Sequence, residues 1–218
     1  MDTELRMEAG SWHAVVMNDT LVTGFEKQAV VDRNFFNNCI FLASFKANKL
    51  YDSDKNPGEW FDYYVGVLWS YGWSFDEEPV EFVQPQFSGS VQQAWMMSAA
   101  RLVTRSQLAQ VEAAHAALEK DALLLAKFAG SSVKTHKSHI VPVRYGANGE
   151  LVVVLSQIRF IKSVMRTTYL FWQIHQPMSQ LDIRARRLVI NRRAMDANRE
   201  RLALAIRDIP FKLEEHEL

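Results

Sequence analysis

The sequence predicts an α+β fold: N-terminal helices with a long Ala-rich helical segment, then an antiparallel β-meander of about four strands and a C-terminal helix. Three observations predict it. From Val91 to Ala129 the chain runs 39 residues without Gly or Pro, and 11 of them are Ala, the strongest helix former. Beyond Gly130 the apolar period shortens from that of a helix to that of a strand. Within that second part, Ala147-Asn148-Gly149 separates Ser138–Tyr145 from Glu150–Ile161. This is a strong hairpin pattern, because Asn-Gly accepts the positive φ angles of a type I′ turn.

Taken in order, Trp12–Met17 has the composition of a short strand. Phe25–Leu50 reads as a helix: Phe25, Ala29, Phe36, Cys39, Ile40, Ala43 and Ala47 follow helical spacing, and Lys46 and Lys49 suit the negative end of its dipole. Asp52–Gly58 is a loop by composition. Trp60–Trp69 is a second helix, with Pro57 ahead of it and Gly72 as its stop. Phe75–Phe87, broken by Pro79 and Pro85, is a short strand between turns. The Ala-rich run holds two helices, because Ser90 with Gln93 and Thr104 with Gln107 both match a capping box. The second helix carries a seam, Leu108, Val111, His115, Leu118, Ala122, Leu125 and Ala129, stepping by threes and fours. Thr167–His175 and Leu181–Asn191 continue the meander as strands, and Met195–Arg207 is the closing helix, stopped by Pro210. The reading is a single domain, 1–218, with a helical part over about 20–130, a β-rich part over about 138–192 and the last helix over about 195–208.

Composition narrows the function classes. Hydrophobic residues make up 48% and charged residues 23%, which excludes disorder for most of the length. No apolar stretch approaches the roughly 18 residues of a membrane span, and the N-terminus lacks the basic and apolar regions of a secretory signal. One cysteine forbids an internal disulfide and favours cytoplasmic synthesis, with signal-less export left open. The formal net charge of zero hides an asymmetry. Residues 1–90 carry 14 acidic and 6 basic side chains, a balance of −8, while 91–149 and 150–218 each carry +4. The simplest account is that the two halves fold against each other; the sharper one is complementarity between copies in an assembly.

No Gly-rich phosphate loop, G-x-S-x-G elbow, H-E-x-x-H or C-x-x-C occurs, so no catalytic residue, cofactor or metal is assigned. Cys39 lies in the apolar stretch Asn38–Leu42, which favours core packing over a nucleophile or an acylation site. His136 and His139 supply too few ligands for a metal, and His115 fits a core or interface position. Two segments stand out as candidate interaction surfaces. Residues 60–75 hold eight aromatics, of which Trp60, Tyr64, Trp69 and Trp73 are selected; these suit a core, a protein interface or a membrane surface. Residues 184–207 hold eight arginines against Asp196 and Glu200, and Arg184, Arg186, Arg187, Arg192 and Arg193 are selected. That second segment suits a solvated face pairing with the acidic N-terminal part better than it suits anionic lipid head groups or, since the whole chain is not basic, nucleic acid.

One resemblance adds to this reading. Asp54-x-x-Pro57-x-x-Trp60-Phe61-x-x-Tyr64-x-x-Val67-Leu68-x-x-x-Gly72-Trp73, following Leu42-Ala43 and Ala47-Asn48-Lys49, resembles a motif of small microbial proteins of no known function. The resemblance spans roughly residues 35–208. It implies a helical first half, a Gly-turned strand pair and one domain, and it carries over no site residue. The leading expectation is a non-enzymatic bacterial protein acting through protein–protein contacts and self-association, as a homo-oligomer or with a protein partner. The alternatives are a membrane-active toxin or virulence factor made as a soluble protein, and an enzyme with an unrecognised site.

Overall fold

The computed structural model describes residues 12–26, 30–89, 91–135, 137–161, 174–210 and 216–217. Among them are β1 (Trp12–Met17), β2 (Thr20–Glu26), α1 (Val30–Leu50), α2 (Pro57–Ser70), β3 (Ser74–Phe75), β4 (Val80–Gly89), α3 (Val91–Ala99), α4 (Arg105–Lys120), α5 (Ala122–Thr135), β5 (Lys137–Tyr145), β6 (Leu151–Ile161), β7 (Ile174–Ile190), α6 (Arg192–Arg207) and β8 (His216–Glu217). The fold class is α+β, with a mostly antiparallel sheet and a C-terminal helix, as the sequence predicts. The sheet runs β3-β7-β6-β5-β2-β1-β8, and β4 shares the β7 edge with β3.

The sheet is the middle of three layers. On one face α1, α2 and α6 pack Phe36, Trp60, Leu68 and Leu202 against Val141, Val153, Leu155 and Leu188. On the other, α3, α4 and α5 pack Trp95, Val111, Leu118 and Phe128 against Ile140, Ile158, Leu181 and Ile183. Each strand of the centre therefore buries both of its faces, which explains the near-continuous apolar run Leu151–Leu155 in β6.

The structure corrects several expectations. The first half is not helical throughout. Thr20–Glu26, including the start of the expected helix at Phe25, is a strand, and β2 joins β5 in parallel, with Val22 opposite Val141. The meander contributes three strands, β5, β6 and β7, and the fourth place beside β7 is taken by β3 and β4 from the first half. Residues 162–173, which include the start of the expected strand Thr167–His175, lie outside the described residues; its last two residues belong to the single 17-residue strand β7. The Asn148-Gly149 turn is also different: only Gly149 has a positive φ (75°), and its amide donates to the Gly146 carbonyl at 3.1 Å. A left-handed glycine after an ordinary turn makes a bulged loop rather than a type I′ turn.

The Ala-rich run breaks twice. At Thr104 the capping box forms, with the Gln107 amide donating to the Thr104 hydroxyl at 3.3 Å and the Thr104 amide donating to Gln107 Oε1 at 3.1 Å. Ser90 lies outside the described residues, so its box is not seen. The second break is at Asp121, whose carboxylate accepts the Leu124 amide at 2.9 Å and starts α5. The seam predicted as continuous to Ala129 is thus interrupted; Leu124 and Phe128 are buried in place of Ala122 and Leu125.

Candidate interaction surface

The four selected aromatics separate by position on α2 and the turn after it. Trp60, Phe61, Tyr64, Val65 and Leu68 recur at three- and four-residue steps and bury one face of the helix. Trp60 stacks on Tyr64 with centroids 5.1 Å apart, and Tyr64 stacks on His139 of β5 at 5.8 Å. The Trp60 indole donates to Asn48 Oδ1 at 2.8 Å. Trp73, reached through a turn at Gly72 (φ 93°), meets Phe36 edge-on at 5.9 Å. Trp60, Tyr64 and Trp73 are therefore core residues, and the reading of these three as an exposed surface is corrected: the apolar arc of α2 faces the sheet, and they lie on it or under it. Trp69 points the other way and is 64% exposed.

Trp69 faces a shallow groove of about 300 Å³ bounded by Val65, Gly66, Phe75, Asp62 and Arg186. Gly66 leaves its floor open, for a Cβ there would meet nothing within 4 Å. Phe75, in the two-residue strand β3, is 51% exposed. The Arg186 guanidinium stands 5.5 Å from the Phe75 ring centroid.

The selected arginines also separate. Arg184 and Arg186 project from the face of β7 that carries α2, and Arg187 projects from the opposite face, toward the connection between β3 and β4. Arg184 pairs with Glu81 at 3.5 Å, Arg186 with Asp62 at 3.4 Å, and Arg187 with Asp76 at 3.1 Å and with Glu77. In each pair the arginine is the deeper partner. The side-chain exposures are 28% against 60% for Arg184 and Glu81, and 25% against 62% for Arg186 and Asp62. Arg192 belongs to another place, the corner between α6 and α1, where it binds Asp32 together with Arg199. Arg193, in the first turn of α6, is exposed. The nine residues selected from sequence thus form no single surface.

Sequence reasoning missed the carboxylates that face outward, Asp62, Asp76, Glu77, Glu78 and Glu81, and it missed Phe75 as the partner of Trp69. The signal available was the acidic run Asp76–Glu78 directly after Phe75. Elsewhere, Cys39 is buried and its thiol is pushed up to about 12 by burial. Burial holds His115 and His139 down to about 4, so both stay neutral near pH 7. His136 lies outside the described residues. Among the described residues no three His, Cys, Asp or Glu side chains come together as metal ligands.

No protein-family model matches the chain, and no curated protein matches it. Among solved structures it is similar to that of the Evf virulence factor, at 12% identity and a TM-score of 0.39, over 84% of this chain and 77% of that one. No residue role is transferred from that likeness.

Proposed function

We propose that the protein works by non-covalent contact with another protein, through the ledge formed by α2, β3 and β4, and that the segment it takes is cationic and carries an apolar side chain. The observation that carries this reading is the inverted layering of the ion pairs. Three guanidinium groups each lie deeper than the carboxylates they pair with, four in all, and Trp69 and Phe75 stand exposed beside the Arg186–Asp62 pair. Arg101, from the turn before α4, adds a donor to the Pro79 carbonyl at 2.6 Å and leaves the acidic side chains uncovered. Exposed Trp beside a groove is the usual anchor of an interface, and the acidic rim attracts and orients a cationic partner.

The same layering weighs against the other readings. Nucleic acid and anionic lipid both need outward cations, and here the arginines of β7 are screened by acids. Among the described residues no helix is long and apolar enough to cross a membrane.

The test uses fluorescence anisotropy with two labelled octapeptides, one alternating Lys and Leu and one alternating Glu and Leu. The Lys peptide should bind, weaken with added salt, and lose about tenfold affinity with Trp69→Ala or Phe75→Ala. Equal binding of the Glu peptide, or indifference to both substitutions, overturns the reading. Light scattering of the protein alone at tens of micromolar decides the partner: a dimer that Trp69→Ala dissolves makes the partner a second copy and replaces the cationic-segment assignment.

A further inference from the structure

The sheet face beneath α1 and α2 changes character toward the end where β2 begins. There, Thr20, His139, Gln157 and Arg184 lie side by side across β2, β5, β6 and β7. Lys137, Arg159 and Asp182 form the next row. Lys137, His139, Gln157 and Arg159 are all at least nine-tenths buried. Apolar side chains would fill this space at lower cost, since each buried polar group must find partners. Some have: Lys137 lies 3.8 Å from the Trp60 ring centroid and donates to Asn48 Oδ1 at 3.3 Å, and Arg159 pairs with Asp182 at 3.6 Å. Gln157, 1% exposed, has neither amide atom bonded among the described residues, and His139 Nδ1 is also unbonded.

Beside this cluster opens a cavity of about 480 Å³, between α1 and the β1–β2 turn. That is within the roughly 300–1,000 Å³ of small-molecule sites. One wall is apolar, made by Met17, Ile40, Phe41 and Phe45. The rest of the lining is polar, with Asn18, Asp19, Thr20, Ser44, Asn48 and Lys49. Asn48 lines the cavity and also borders the cluster: its oxygen accepts from both the Trp60 indole and the Lys137 ammonium, which leaves its NH₂ group as the donor. The Asp19 carboxylate, already accepting from the Thr20 hydroxyl at 3.4 Å, supplies an acceptor. The Asp19 carboxylate and the Lys49 ammonium both line the cavity, so its formal charges offset and it favours an uncharged head group.

We propose that the cavity between α1 and the β1–β2 turn is a small-molecule site for an uncharged, mainly apolar ligand with one hydroxyl or carboxamide group, that group bonded to Asp19 and Asn48 and the body lying against Phe41 and Phe45. This site is independent of the α2–β3–β4 ledge. It uses no residue of that surface and stands or falls separately.

Titration calorimetry with 2-naphthamide, 2-naphthol and 2-naphthoate tests it on the full chain. The amide and the alcohol should bind with a stoichiometry of one, and the carboxylate should bind about tenfold more weakly, because the lining charges already offset each other and do not repay the desolvation of a third. Asn48→Ala should weaken the amide about fivefold, the loss of one hydrogen bond. Because Asn48 also supports Trp60, Ser44→Trp is the second variant: Ser44 is half-buried on α1 and lines the cavity, so the indole should fill it and abolish binding while the unfolding midpoint holds. Trp69→Ala should change nothing. No binding of the amide and alcohol, tight binding of the carboxylate, or binding that survives Ser44→Trp overturns the site.

Discussion

Two clusters of arginine–carboxylate pairs draw on the same Arg-rich stretch and are built in opposite senses. On the β7 ledge the arginines lie inside and the acids outside. At the α6–α1 corner the acid lies inside: Asp32 is 4% exposed at its side chain, while Arg192 is 53% exposed and Arg199 27%. Asp32 accepts from both terminal nitrogens of Arg192, from Arg199 at 3.0 Å and from the Tyr145 hydroxyl at 3.0 Å. It also sits in the first turn of α1, where the helix dipole favours a negative charge. The difference teaches that a segment of net charge +6 does not present one uniformly positive surface. The outward sign depends on which partner the fold places deeper, and one cluster serves cohesion while the other is available for recognition.

The comparison breaks first at Asp32. Asp32→Ala leaves two guanidinium groups and a tyrosine hydroxyl without their shared acceptor and should cost about 3 kcal/mol in urea unfolding. If the loss is below about 1 kcal/mol, the corner is not a cohesive centre. Its pH dependence has a definite sign. Burial alone would raise the pKa of Asp32, but hydrogen bonds from Arg192, Arg199 and Tyr145 hold it below the ordinary 3.8. A carboxyl with a lowered folded pKa contributes stability above its unfolded pKa and loses it as pH falls through the folded one. The native protein should therefore lose stability more steeply than Asp32→Asn below about pH 4. Parallel slopes would refute that assignment.

On the ledge the expected effects are smaller. Arg187→Ala removes a partner from both Asp76 and Glu77 and should cost about 1 kcal/mol, because both acids remain partly hydrated. Trp69→Ala should change stability by less than about 0.5 kcal/mol, as for an exposed site, while reducing cationic-peptide affinity about tenfold. A destabilisation comparable to that of Asp32→Ala would mean that the ledge is structural and the two regions do not differ. Glu81→Lys, smallest in stability, should weaken the Lys peptide and flatten its salt dependence.

Local features were legible in the sequence. The capping box at Thr104 and Gln107 forms because both bonds lie within four residues. The second break was half legible: Asp121 is a good N-cap, but Leu124 supplies no returning side chain and the apolar seam runs through it. The inward face of α2 follows from its spacing, and Trp69 falls about 120° from the centre of that arc on a 100° helical step. Trp73 lies beyond the helix, so its burial against Phe36 could not be read from any period. The opposite charges of the two halves predicted that they would pair, and the links from β7 and α6 to Asp32, Asp62, Asp76, Glu77 and Glu81 match that.

By itself the sequence determined where most of the helices lie, the cap at Thr104 and the β5–β6 hairpin, because propensity, capping and apolar period act over a few residues. Only the tertiary structure decided that Thr20–Glu26 lies in parallel beside β5, that β3 and β4 close the β7 edge, and that a cavity opens beside Asn48. It also decided which member of each ion pair faces water. Arg187 and Glu77 are 110 residues apart and Arg192 and Asp32 are 160 apart, and their depth is set by how a helix layer lies on a sheet assembled from both halves of the chain. Exposure is a property of that packing, so no local pattern encodes it.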